Sequence, residues 1–399
     1  MSGSEAMQPA VQRGPSIAAV AAGVLAASVG FASSFAVVIA GLQAVGASPA
    51  QAASGLMALA VVKGVCAIYL SFKHRMPISL AWSTPGAALL ASSGAVEGGF
   101  SAAVGAFLVS GLLIVFAGLW RPLGRAVAAI PAPLANAMLA GVLLGLCLAP
   151  VKAVAELPAF ALTIIVTWAI VARFKRLYAV PAAVLMTVVL LIISTDLAGQ
   201  EIGSLWPILV PVTPSFSLSA IIGIALPLFI VTMASQNIPG MAVLNANNYR
   251  PDPGALFTWT GLCSLIAAPF GGHALNLAAI TAAICAGDEA DPDPKRRYWA
   301  AVIAGISYVV LGLSAAAATA LLAASPPILI QAVAGLALLG AFGAALMGAM
   351  ADQTNREAGV VTFLVTASGI GLLGISGAFW GLVAGGAIYA LTHWRAAAQ

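Results

Sequence analysis

The chain is 399 residues long, 62% hydrophobic and only 7% charged, with a mean hydropathy of +1.06, a balance that no water-soluble fold of this size could bury or expose. A formal charge of +4 would point to nucleic acid in a soluble protein, but here most of the basic residues flank apolar runs, where they report orientation rather than a partner. The composition implies a polytopic membrane protein.

Met1 to Pro15 is polar, and the apolar run after it is too long for a signal-peptide core of about 7 to 15 residues, so it reads as the first permanent span. Hydropathy with Gly, Pro and charge punctuation then predicts spans at Ser16–Gln43, Pro49–Phe72, a broken Ile78–Ser93, Phe100–Leu119, Pro131–Ala149, Leu157–Ala172 and Tyr178–Ser194. After a polar connector come Leu218–Asn237, Gly254–Ala268, a broken Gly272–Gly287, Tyr298–Ala323, Pro326–Met350, Glu357–Leu373 and Ser376–His393. The expected fold is therefore all-α with fourteen transmembrane segments, seven in residues 1–195 and seven in 217–399, joined by 196–216. With the N-terminus inside, the basic residues of the loops fall almost entirely on one side, Lys152 being the exception, which places both termini in the cytoplasm. Skipping either broken segment would scramble that alternation, so both are expected to cross.

The sixteen residues of Ile78–Ser93 reach only about 24 Å as continuous helix, short of the ~30 Å hydrocarbon core. Five extended residues followed by about ten helical ones reach close to 30 Å. Extended backbone at that depth needs its polar groups paired, and two such strands can pair with each other. Gly111 and Gly305, Gly118 and Gly312, Pro133 and Pro327, and Gly141 and Gly335 share one offset of 194 residues, evidence for duplication. An odd number of spans per half makes the copies inverted, and paired Gly/Pro-interrupted segments point to a secondary transporter's binding site.

In the first broken segment Ser83 or Thr84 can cap a half-helix with Pro85 at its first position, and in the second Asn276 can cap its counterpart. Two helix N-termini meeting near the membrane centre would attract an anion. His273, next to Gly272, exchanges a proton, hydrogen-bonds a carboxylate or merely fixes its loop, and it and nearby Leu275 are candidates to line the substrate site. Ser235, Gln236 and Asn237 at a Pro/Gly break either bond substrate or cap a helix end. Ser33 and Ser34 with Phe31 and Phe35, and Trp82, can line a pocket for a planar ring, although aromatics in spans are usually packing. Lys63 lies about 15 Å along a helix from Lys73, too deep to snorkel comfortably, and is a substrate counter-ion, a coupling group, or a lysine paired with backbone carbonyls or reaching water through a crevice. The twelve carboxylates fall in loops or near span ends, and the four cysteines lack metal or disulfide spacing. No HExxH, GxSxG or Walker motif calls for an enzyme, metal or cofactor.

Trp82-Ser-Thr-Pro-Gly-Ala-Ala-Leu-Leu90, Ser235-Gln-Asn-Ile-Pro-Gly240 and Gly271-Gly-His-Ala-Leu-Asn-Leu-Ala-Ala-Ile280 resemble the bacterial benzoate:proton symporter family, BenE, over essentially the whole chain. The resemblance implies import of benzoate or a close aromatic carboxylate with protons across the inner membrane. That family is in turn remotely similar to nucleobase and sulfate permeases, which implies a core domain of spans 1–4 and 8–11, a gate domain of spans 5–7 and 12–14, and a homodimer. Those nucleobase carriers use acidic residues in spans eight and ten, where this chain has Ser235, Gln236 and Asn276, so a carboxylate-based proton step does not carry over. For an anionic substrate that departure is physically reasonable, because a buried carboxylate would repel it. The rivals are a nucleobase or other anion carrier, an anion channel, and a membrane receptor or structural protein.

Overall fold

The computed structural model describes residues 14–128, 130–194, 208–317, 319, 326–373 and 375–397. The N-terminal stretch through Arg13, residues 196–207 of the connector and the end of the span expected to reach Ala323 lie outside them. Among the described residues, eight helices are long and apolar enough to cross a membrane, and the shorter Pro158–Phe174 and Tyr298–Leu313 are apolar as well.

The first expected span is two helices, α1 (Ile17–Ala32) and α2 (Phe35–Ala44). The break has a local cause: Ser33 and Ser34 donate their hydroxyls back to the Gly30 carbonyl, competing with the backbone ladder, and Ser34 sits at φ −143. Next, α3 (Pro49–His74) opens on a Ser48/Gln51 capping box and ends at a left-handed Arg75. The first broken segment follows as β1 (Leu80–Trp82) and α4 (Thr84–Ser93), and α5 (Gly99–Leu119) comes after it. The first half closes with α6 (Arg121–Ala128), α7 (Ala132–Cys147), α8 (Ala149–Glu156), α9 (Pro158–Phe174) and α10 (Ala179–Ser194).

The second half opens with α11 (Leu218–Ala246), which runs beyond the Asn237 end expected from sequence. Its turns at Ile221–Ala225 and Met233–Asn237 are π-helical, so the ladder continues past Pro239, whose missing N–H would otherwise mark a stop. Then come α12 (Pro253–Ala267), β2 (Leu275–Leu277), α13 (Ile280–Ala286), α14 (Tyr298–Leu313), α15 (Pro327–Met350), α16 (Arg356–Ala367) and α17 (Gly377–Ala397).

Helices α1 to α5 and α11 to α14 pack mainly among themselves, with α14 lying along α3 and α1, and α5 along α12. Helices α7 to α10 and α15 to α17 form a second set, in which α7 touches α15 and α16, and α9 lies on α10. Two of the glycine pairs that repeat at one sequence offset, Gly111/Gly305 and Gly118/Gly312, have matching duties. Gly111 and Gly118 let α5 approach α12, where an added Cβ would come within 2.4 Å of Thr258 Oγ1, and Gly305 and Gly312 let α14 approach α3, where it would come within 2.7 Å of the Gly64 carbonyl.

Candidate functional site

Strands β1 and β2 pair antiparallel, with Leu80 opposite Leu277, Ala81 opposite Asn276 and Trp82 opposite Leu275. The ladder continues at both ends, as Ser83 N–H donates to the Ala274 carbonyl and Ala278 N–H to the Ser79 carbonyl, each at 2.9 Å. The pairing satisfies extended backbone that lipid could not. Leu275 is fully buried opposite Trp82.

At the start of α4, Ser83 is the cap: its Oγ accepts from Gly86 N–H at 3.1 Å and from the Thr232 hydroxyl at 2.9 Å. Thr84 and Pro85 are the first two helical residues, and Thr84 is half-buried. The second segment departs from expectation. Asn276 lies inside β2 and does not cap α13, whose N-cap is Ala279 with no side-chain bond. In the orientation that satisfies its whole amide, Asn276 accepts from Ser83 N–H at 3.0 Å and donates to the Leu277 carbonyl at 2.9 Å. It ties one broken span to the other, a duty that strand pairing makes available and that outcompetes capping.

The π turn of α11 grips both strands. Five residues would place two side chains roughly 140° apart on an α-helix, but they make one turn of π-helix, so Thr232 and Asn237 face the same way. Thr232 holds Ser83, and Asn237 Oδ1 accepts from Leu277 N–H at 2.9 Å while its Nδ2 donates to Met233 Sδ. Both are fully buried. In the same turn, Ser235 donates to the Val231 carbonyl. The side-chain amide of half-buried Gln236 has no hydrogen bond among the described residues.

His273 Nε2 lies 3.1 Å from the Ser83 carbonyl, which can only accept, so this nitrogen carries the ring proton. Nδ1 is left buried without a partner, and the ring meets Phe107 of α5 edge-on.

An aromatic cluster lies beside the start of α4. Phe31 and Phe35 stack at 5.5 Å, Phe31 meets Trp82 edge-on at 5.7 Å, and Trp82 donates its indole N–H to Ser34 Oγ at 2.8 Å. Lys63, 1% exposed, holds its Nζ 3.3 Å from the centre of the Trp82 ring and 3.5 Å from that of Tyr308. Tyr308 is not among the residues singled out from sequence. It was legible all the same, since Gly305 and Gly312 mark the face that α14 turns toward α3, and Tyr308 stands one turn from Gly305 on that face. Pockets of about 340 Å³, beside Pro227 and Phe379, and about 610 Å³, beside Arg176 and Gly343, lie away from this cluster.

Crossed strands carrying half-helices, set among membrane-crossing helices, define a membrane transporter. The fold is that of SLC26A9 (TM-score 0.66, 15% identity, covering 94% of this chain and 65% of that one) and of the transmembrane domain of a cyanobacterium bicarbonate transporter, BicA (TM-score 0.60, 19% identity, covering 92% and 97%). In sequence the chain is 41% identical over 376 residues to inner membrane protein YdcO of Escherichia coli (strain K12), covering 93% of this chain and 95% of the relative. It is 30% identical over 378 residues to the benzoate membrane transport protein of Acinetobacter baylyi, covering 93% and 94%. The family model described as benzoate membrane transport protein matches residues 14–391. The chain belongs to the benzoate membrane transport family, whose members are multi-pass transporters and not enzymes.

Proposed function

We propose that this protein imports benzoate or a closely related aromatic monocarboxylate, in symport with protons, across the bacterial inner membrane by alternating access. The observation that carries this reading is the ring cluster of Phe31, Phe35 and Trp82 against the Ser83-capped start of α4. The planar ring of the substrate lies among those side chains, and its carboxylate faces Thr84 and the positive end of the ten-residue half-helix. Gln236, half-buried and unbonded, is the amide free to donate to a substrate oxygen. Ser33, Ser34, Ser235, Asn237, Asn276 and Leu275 shape the pocket around them.

The carrier is fourteen segments in two inverted halves, a reading supported by the antiparallel strand pair and by the like roles of Gly111/Gly118 and Gly305/Gly312. Helices α1–α5 and α11–α14 form the core that holds substrate, and α7–α10 with α15–α17 form the gate against which it moves. Both termini are cytoplasmic, and the protein works as a homodimer. A second reading, a carrier or channel for another small anion, is favoured by the fold it shares with a bicarbonate transporter.

Uptake of labelled benzoate into proteoliposomes separates the two. Uphill accumulation under an inward proton gradient, abolished by an uncoupler and competed by substituted benzoates but not by uracil or sulfate, is the expected result. Conductance without accumulation, or competition by bicarbonate or sulfate alone, would select the second reading.

A further inference from the structure

Lys63 presents a charge problem that the strands and caps do not address. Its amine is buried between the faces of Trp82 and Tyr308. Burying an ammonium carries a large desolvation cost, and cation–π contact returns only part of it. A carboxylate would close the difference, but the elements around Lys63 carry none. α1, α2, β1, α4 and α11 contain no titratable side chain. The titratable groups nearby are Tyr308 on α14, Cys285 on α13, and Cys66 and Cys263 on α3 and α12. Among the described residues, the ion pairs are Arg296–Asp291 and Arg297–Asp288, in the loop after α13. Among the described residues around Lys63 nothing supplies that anion, and an anionic substrate can.

Resting on the function proposed above, we propose that Lys63, caged by Trp82 and Tyr308, carries the co-transported proton and pairs with the substrate carboxylate, so that proton and anion load together. Empty, the amine keeps its lone pair. When the site opens to the side richer in protons, Nζ takes one proton from water and becomes an ammonium as the carboxylate arrives. The pair crosses as a neutral unit. On the far side the carboxylate leaves, and the ammonium returns its proton to water. Each ligand raises the affinity for the other, as linkage requires.

The other buried base is less suited to this work. His273 has its Nε2–H committed to the Ser83 carbonyl, and its ring contact is Phe107 of α5, outside the Phe31–Trp82–Tyr308 cluster. It positions the strand crossing.

The mechanism fixes a stoichiometry: one proton per monocarboxylate, with no net charge moved. In proteoliposomes holding the wild-type protein, a pH gradient should drive benzoate accumulation, whereas a potassium diffusion potential alone should change the initial rate less than twofold. Lys63→Met should lower accumulation at least tenfold. Lys63→Arg, permanently charged, should retain benzoate/benzoate exchange and lose accumulation driven by the pH gradient. Accumulation driven by potential alone, or a Lys63→Met carrier that still accumulates benzoate under a pH gradient, overturns the proposal while leaving benzoate transport standing. If the wild type takes up no benzoate, the broader reading fails and this one with it. Even if a variant does not fold, accumulation driven by potential alone in the wild type would overturn the proposal.

Discussion

The two broken spans occupy corresponding places in the halves of the chain and pair with each other, yet they are built for different work. The first ends its strand at Ser83, which caps a ten-residue half-helix and leaves Thr84 half-buried at its start. The second has a strand buried at every residue and a seven-residue half-helix with no side-chain cap, and its polar residues turn back onto protein. Asn276 reaches across to Ser83, His273 bonds the Ser83 carbonyl, and Leu277 N–H is taken by Asn237. The two elements are alike in outline, and on the function proposed above the first offers a face to the ligand while the second braces it.

The brace should be the more expensive to break. Asn276→Ala removes the bond to Ser83 that ties the spans together and the bond to the Leu277 carbonyl of its own strand, leaving that carbonyl without its side-chain partner in a region where water cannot substitute, a loss of about 1–3 kcal/mol for the orphaned group. The yield of folded protein in the membrane and its melting temperature in detergent should both fall, with transport falling in proportion. If Asn276→Ala folds at wild-type yield but loses uptake, Asn276 belongs to the ligand face and the contrast between the two spans is wrong.

How much of this was written locally in the sequence differs between the two elements. The length deficit of Ile78–Ser93 forces extended chain followed by a short helix, and Ser-Thr-Pro marks where one becomes the other, so β1 and α4 were legible from reach and capping alone. Asn276 was legible as a buried polar residue but not in its role, because asparagine near a helix start suits a cap, and only the partner strand, almost two hundred residues away, offers it something better. The end expected at Asn237 failed for a related reason. Adjacent amides before Pro and Gly look like a stop, and a π turn has no local signature, although the five-residue spacing of Thr232 and Asn237 matches its period. The Lys63 cage joins residues far apart in the chain, and the glycine face of α14 was the one sign that Tyr308 would complete it.

On the ligand face the effects should appear in affinity before stability. Ser83→Ala removes the α4 cap and the acceptor for Thr232, costing about 0.5–2 kcal/mol of folding free energy. Because the same change loosens the start of the half-helix, the apparent KM for benzoate should rise about fivefold or more, a factor equivalent to ~1 kcal/mol of binding. Ser83→Thr, which keeps the hydroxyl, should restore most of it. A KM that stays at the wild-type value while the melting temperature falls would make Ser83 a brace like Asn276.

Gln236→Ala should have the smallest effect on stability and so gives the sharpest test of the face. Its amide is half-buried in the π turn with no hydrogen bond among the described residues, so truncation leaves no protein group unpaired and should change folding free energy by no more than about 0.5 kcal/mol. If that amide donates to a substrate oxygen, losing one such bond at ~0.5–1.5 kcal/mol raises KM roughly two- to tenfold, with little change in the amount of protein. Its neighbour Asn237, one residue further along the same turn, should show the opposite pattern on truncation, because its oxygen holds Leu277 N–H. The pair therefore tests whether one turn of α11 serves both broken spans, offering an amide to the ligand at one residue and bracing the second strand at the next. Equal KM values for Gln236→Ala and wild type would confine α11 to bracing.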